Sequence, residues 1–385
     1  MIIDTMFNVT DEEKLILLSS RPDPSKEDVG EIECIINNTS GEIDYRRLVD
    51  IASQNGVTPF LYKNLKTKTN IPTTVINELH NAYLCTLSRN LISVRETLRI
   101  LHFLKDNGIE AIPLKGSIAS EIIFKNPGLY ASSDIDILVK PSELDEVKKV
   151  FLNNGFKYDE KRESDMLSSH YHLVFFNDKH VVDVHWNLVK RYFDIKPDFW
   201  WEEVSVIRYN STEIFSLSPE RYIMYAIFRL FTHEFSPLRF FILVSEIINH
   251  YSNEIEWDKL LTSSEKYNMK RLITFALKML NELLGTRVPN YIVTKRLCGY
   301  EVLKHTVIAG LFREPKRPHI RRVIYLFLLD TPFDVFKSLF KRFFPEKGEL
   351  RLRYRIPEDS KKLYMYYMLN LFLLPRLILR KRINS

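Results

Sequence analysis

Apolar positions recur at two different periods along this chain of 385 residues, and the change of period divides it. Up to about residue 107 the spacing is helical. Thr10 and Glu13 stand three apart, the arrangement in which a hydroxyl and a carboxylate satisfy each other's backbone donors at a helix start. A longer helix is expected from Pro72, whose fixed φ suits a first helical position, to Asn107 and Gly108. Within it Leu84, Leu87, Leu91, Val94, Leu98 and Leu101 alternate in steps of three and four, an apolar stripe that predicts packing against other helices.

After Gly108 shorter apolar runs take over. Strands are expected over 109–114 and 134–139, and helices over 117–125 and 141–154, the last closed by Gly155. Residues 171–176 and 180–186 flank Asn177, Asp178 and Lys179 as a hairpin. Helix returns at Ser218 and Pro219, and one long helical stretch is expected over 256–284, ended by Gly285. Pro315, Pro318, Pro332, Pro345 and Pro357 cut the remainder into short helices. The pattern predicts an α+β fold in three parts: a helical region over 1–107, a core with a central mixed β-sheet over 108–217, and a C-terminal helical region over 218–385.

Composition adds compartment and partners. With 45% apolar and 27% charged residues the chain is globular in type. Cys34, Cys85 and Cys298 form no Cys-x-x-Cys pair, which argues against a disulfide framework or a thiolate zinc site and for a reducing compartment. The start, MIIDTMFNVTDEEK, is acidic where a secretory signal is basic, so a cytoplasmic protein is expected. The net charge of +6 is unevenly spread, with 18 Lys plus Arg against 7 Asp plus Glu over 311–385. The apolar run 363–379 is broken by Asn370, Pro375 and Arg376 and falls short of a transmembrane helix. Arg380, Lys381 and Arg382 follow it, so peripheral contact with anionic lipid at the inner membrane surface is a further expectation.

The chemistry concentrates in Leu114-Lys115-Gly116-Ser117 and Ser133-Asp134-Ile135-Asp136-Ile137-Leu138-Val139. Alternation along a strand puts Asp134 and Asp136 on one face, and Ile135 and Ile137 on the other. Two unit charges about 4 Å apart repel by roughly 4 kcal/mol at an effective dielectric near 20, so such a pair calls for protonation or a divalent cation. Magnesium takes a few carboxylate oxygens together with substrate phosphates. Between strand and helix, Gly116 allows a phosphate close to the backbone, Ser117 offers a hydroxyl and Lys115 a positive charge. Asp183 and His185 share a face of their own strand and could approach the acidic pair. His170 and His172 alternate on the opposing strand, a rival arrangement for zinc or manganese without a specific metal spacing. His233-Glu234 and Lys316-Arg317 read as ordinary structural positions.

These segments, with Gly155-Phe156 and Val182-Asp183-Val184-His185-Trp186, resemble the uncharacterised nucleotidyltransferase family of the DNA-polymerase-β-like nucleotidyltransferase superfamily, whose signature is Gly-Ser followed by Asp-x-Asp. The match is strongest over 109–188 and weaker at Leu238-Arg239 and Glu254-Ile255-Glu256-Trp257. The resemblance implies a four- or five-stranded mixed sheet and transfer of a nucleoside monophosphate from an NTP, ATP foremost, with release of pyrophosphate. It implies Mg2+ or Mn2+ held by Asp134, Asp136 and a third carboxylate that Asp183 matches, with Asp183 also the candidate general base. Lys115, Gly116, Ser117, Ser133 and His185 would line the nucleotide. The acceptor class stays open among small molecule, protein, glycan and nucleic acid. The stretch Leu129-Tyr130-Ala131-Ser132-Ser133 lacks the arginine that relatives often carry ahead of the acidic pair. A nucleotide-binding regulatory module without turnover therefore stands beside the enzyme, and the basic, apolar C-terminal segment adds a membrane-associated scaffold as a third class.

Overall fold

The computed structural model describes residues 9–38, 43–132, 134–160, 163, 166, 171–189, 192–209, 212–313, 325–354, 356, 360 and 363–369. Helices α1 (Asp11–Ser19), α2 (Lys26–Asn38), α3 (Tyr45–Gln54) and α4 (Thr58–Leu65) precede the 34-residue α5 (Thr73–Asp106). The Thr10–Glu13 capping box opens α1, each residue's side chain accepting from the other's backbone N–H. Strands β1 (Ala111–Pro113), β2 (Ile135–Val139), β3 (Lys157–Tyr158), β4 (His172–Phe176) and β5 (Val181–His185) form one sheet in the order β1-β2-β5-β4-β3. β2 and β5 run parallel and the other neighbours antiparallel, so the sheet is mixed and the fold α+β. Helices α6 (Ser117–Ile122) and α7 (Leu144–Asn153) link β1 to β2 and β2 to β3.

One face of this sheet is wholly apolar. Ile135, Ile137 and Val139 of β2, Leu173 and Phe175 of β4, and Val182 and Val184 of β5 pack against Ile100, Phe103 and Leu104 of α5 and Val147, Val150 and Phe151 of α7. Period-two alternation then turns Asp136, His172, Asp183 and His185 to the opposite face. There, Ile112, Leu114 and Leu138 join the larger core.

That larger core interleaves apolar side chains of α1, α3 and α4 with those of α8 (Pro219–Thr232), α9 (Arg239–His250), α11 (Lys270–Leu284) and α13 (Tyr300–Phe312). Helices α10 (Trp257–Lys266), α12 (Asn290–Val293), α14 (Pro332–Phe343) and α15 (Lys347–Tyr354) lie between and after these.

Three features depart from the sequence-based expectation. The stretch 256–284 is two helices, because Asn268 takes a left-handed φ of 56° between α10 and α11. A hairpin of β6 (Val204–Tyr209) and β7 (Thr212–Leu217), unforeseen, packs Ile214 and Tyr209 beside Val94 of α5 and Ile118 of α6. On α5, Leu84 and Leu91 of the apolar stripe are exposed, while Thr86, Asn90 and Thr97 are buried. The middle of α5 faces a loop whose carbonyls need donors, so amide chemistry displaces leucine. Buried Asn90 donates through Nδ2 to Pro127 O at 2.6 Å and Tyr130 O at 2.8 Å. Tyr83 adds a bond to Asn126 Oδ1 at 3.1 Å. The loop that leads into β2 is thereby tied to a long rigid helix.

Candidate active site

The register of β2 against β5 sets the geometry. Asp136 lies opposite Asp183, and Leu138 opposite His185. A ligand atom from each of Asp136, Asp183 and His185 falls within 4.8 Å of the others, the group among the described residues suited to hold a metal ion. Asp134 stands one residue ahead of β2, at the partly exposed rim. It joins the cluster through Lys115, whose Nζ is 3.3 Å from Asp134 Oδ2 and 3.0 Å from Asp136 Oδ2.

Asp136 is 3% exposed. Burial pushes its carboxyl up, but the hydrogen bond from His185 and the charge of Lys115 outweigh this and hold it well below the usual carboxylate range. His185 Nε2 lies 3.0 Å from Oδ1. Oδ2 is buried and receives no well-aligned hydrogen bond among the described residues, although the Lys115 ammonium is near. Asp183 behaves oppositely: burial first, then the negative charge of Asp136, raise it to about 6. Two carboxylates in one site with proton affinities driven apart, one of them facing the Lys115 ammonium at its Oδ2, match what a hard divalent cation takes as ligands.

Gly116 forms the other wall. Its φ of 84° is left-handed, and a Cβ there would meet Ser132 Oγ at 2.7 Å and Asp134 O at 3.3 Å. The turn from β1 into α6 is thus pressed against the backbone that carries Asp134. Ser117 begins α6. Ser133 and His170 lie outside the described residues. The His172 ring lies tilted against that of His185, 5.1 Å between centroids.

Sequence reasoning missed a cationic group from the far helices. The imidazole of His233, passed over as an ordinary position, lies at the exposed end of α8, where partial desolvation and then the charges of Arg229, Lys115 and Arg239 lower its proton affinity, with Asp134 opposing. The phenol of Tyr130, pushed up to about 12 by burial, also feels Arg239, Arg229, Asp136 and Asp134. The end of α8 and the start of α9 therefore bring two guanidinium groups into the field of His233 and Tyr130, two side chains that also feel Asp134. Arg229 Nε and Arg239 Nε are buried with no hydrogen-bond partner among the described residues. Arg239 stacks on Phe240, and Phe240 on His233. The one signal in the chain was Leu238-Arg239, remote in sequence from the acidic strand.

A cavity of 1210 Å³ lies elsewhere, lined by Arg21, Asp28, Glu246, Trp257, Glu282 and Arg287, and contains none of these groups. Its lining carries more carboxylates than cations, and geometry rather than size makes the β2–β5 cluster the candidate site.

No curated protein and no solved structure matches this chain. The sheet register, the acidic cluster and the Gly116 turn all fall within residues 41–285, which match the family model described as uncharacterised nucleotidyltransferase, and the chain belongs to that family.

Proposed function

We propose that this nucleotidyltransferase moves a nucleoside monophosphate from an NTP, ATP foremost, to an acceptor hydroxyl, with loss of pyrophosphate. The observation that carries the reading is the in-register pair Asp136 and Asp183 on adjacent parallel strands, beside the Gly116 turn. Asp134, Asp136 and Asp183 would hold Mg2+ or Mn2+, which when bound neutralises charge developing on the phosphoryl oxygens. Gly116 lets a phosphate approach the backbone, and Lys115, already between both carboxylates, turns to the triphosphate. By the family pattern Ser117 and Ser133 would belong to the same cradle. Arg229 and Arg239 supply the positive charge missing from 129–133 and orient the β- and γ-phosphates. Asp183 takes the acceptor proton as the new bond to the α-phosphorus forms and the bond to the bridging oxygen breaks. His185 orients Asp136.

A second reading has its own support: Lys115 lies across Asp134 and Asp136 as an internal cation, which suits a nucleotide-binding module without turnover. One assay separates the two. The protein is given labelled NTP, Mg2+ or Mn2+, and hydroxyl acceptors drawn from small molecules, proteins, glycans and nucleic acids. Metal-dependent label transfer and pyrophosphate release, abolished by Asp136→Ala, are expected. Tight nucleotide binding without pyrophosphate release supports the module, and no transfer to any acceptor with no effect of Asp136→Ala overturns the enzyme.

A further inference from the structure

Helix α14 presents apolar side chains outward as well as inward. Val335 and Leu339 pack on the main core. On the other side Phe333 is 69% exposed, Phe336 64%, Phe340 52% and the following Phe344 43%. Their spacing of three, four and four residues makes one stripe, and successive rings touch: Phe336 to Phe340 at 6.2 Å and Phe340 to Phe344 at 4.9 Å. Exposed phenylalanines in a contiguous row are uncommon on a soluble surface and mark a face that meets something.

The presentation is rigid. Thr331 Oγ1 accepts from Asp334 N at 3.1 Å, and Pro332 occupies the first helical position. Asp330 takes hydrogen bonds from Lys270 N at 2.9 Å and Arg271 N at 2.7 Å, fastening the helix start to α11.

Charge chooses the occupant. Lys337 stands beside the stripe one residue after Phe336, and Lys341 one after Phe340. The segment 311–385 carries 18 Lys plus Arg against 7 Asp plus Glu. Rings flanked by lysines, on a helix lying along the surface, fit an interface in which phenyl groups enter the acyl boundary and ammonium groups meet phosphate. No helix among the described residues is long and apolar enough to cross a membrane. We infer that α14 docks the protein on an anionic lipid bilayer through Phe333, Phe336, Phe340 and Phe344, with Lys337 and Lys341 on the headgroups. This surface is separate from the carboxylate cluster, and its fate does not depend on the proposed reaction.

The full chain is floated with vesicles of phosphatidylcholine alone and of phosphatidylcholine with phosphatidylglycerol. Flotation is expected with the anionic vesicles and much less with the neutral ones, since each lysine near an anionic surface strengthens binding about fivefold. Phe336→Ser/Phe340→Ser, with unchanged far-UV circular dichroism, is expected to weaken partitioning at least about tenfold. Met365→Ser/Met368→Ser, on a separate exposed apolar stretch, is expected to leave most of the binding. The inference is overturned if anionic vesicles do not float the protein, if only the Met365/Met368 variant loses binding, or if sedimentation reveals a dimer that the phenylalanine variant dissociates.

Discussion

The cost of keeping Asp183 beside Asp136 can be measured directly. Burial and the neighbouring charge raise Asp183 from an ordinary 3.8 to about 6. At about 1.4 kcal/mol for each tenfold change in proton affinity, the ionised form destabilises the metal-free fold by at most about 3 kcal/mol. Partial exposure and the polarity of a replacement amide reduce that. Asp183→Asn removes the charge at constant shape, so in EDTA at pH 7.5 the variant is expected to be about 1–3 kcal/mol more stable. For an unfolding entropy that scales with this chain length, the midpoint temperature rises by about 1–4 °C. The sign follows from linkage: the native state binds this proton more tightly than the unfolded one, so metal-free stability falls as pH rises from about 4 to about 6 and is level above. At pH 5, where native Asp183 is largely protonated, the variant's advantage should shrink. Thermal melts followed by circular dichroism, with and without Mg2+, read all of this. Wild type should gain stability from Mg2+ while Asp183→Asn gains little and transfers no label. A variant no more stable than wild type in EDTA at pH 7.5 would refute the electrostatic account of the site.

Activity should rise from pH 5 to 7 with an apparent pKa at or below 6, moving lower as metal concentration increases, because ionised Asp183 is the form that binds cation and takes the proton; a flat kcat/KM profile over that range contradicts it. Arg229→Met and Arg239→Met should each raise KM for NTP about tenfold or more with a smaller change in kcat, and an unchanged KM would remove both from the phosphate site. Gly116→Ala forces a Cβ onto Ser132 at a left-handed φ and should cost about 1–3 kcal/mol, read as a lowered urea midpoint, with loss of nucleotide binding. Asn90→Leu leaves the buried carbonyls of Pro127 and Tyr130 without their donor and should cost about 2–4 kcal/mol in the same assay, despite the better helix propensity of leucine.

Local chemistry made much of this protein legible in one dimension. The capping box at Thr10 and Glu13, the breaks at Gly108 and Gly155, the short strand Ile135–Val139 and the Gly116 turn each follow from interactions within a few residues, so the chain states them wherever it goes. Alternation also determined that Asp183 and His185 would point the same way. Tertiary structure alone decided what those side chains meet. Pairing of β2 with β5, rather than propensity, put Asp136 opposite Asp183, and Lys115 reached both carboxylates only because β1 lies at the next position in the sheet. The polar buried face of α5 was unreadable because a leucine stripe describes what a helix could bury, whereas the loop beside it set what had to be satisfied. Arg229 and Arg239 came into the field of Tyr130 and His233 from nearly a hundred residues downstream of the acidic strand, through packing of α8 and α9 into the common core. Apolar burial brought them there, and burial has no address in sequence: it depends on summed area and shape, and so it selects among partners only once the whole chain has collapsed.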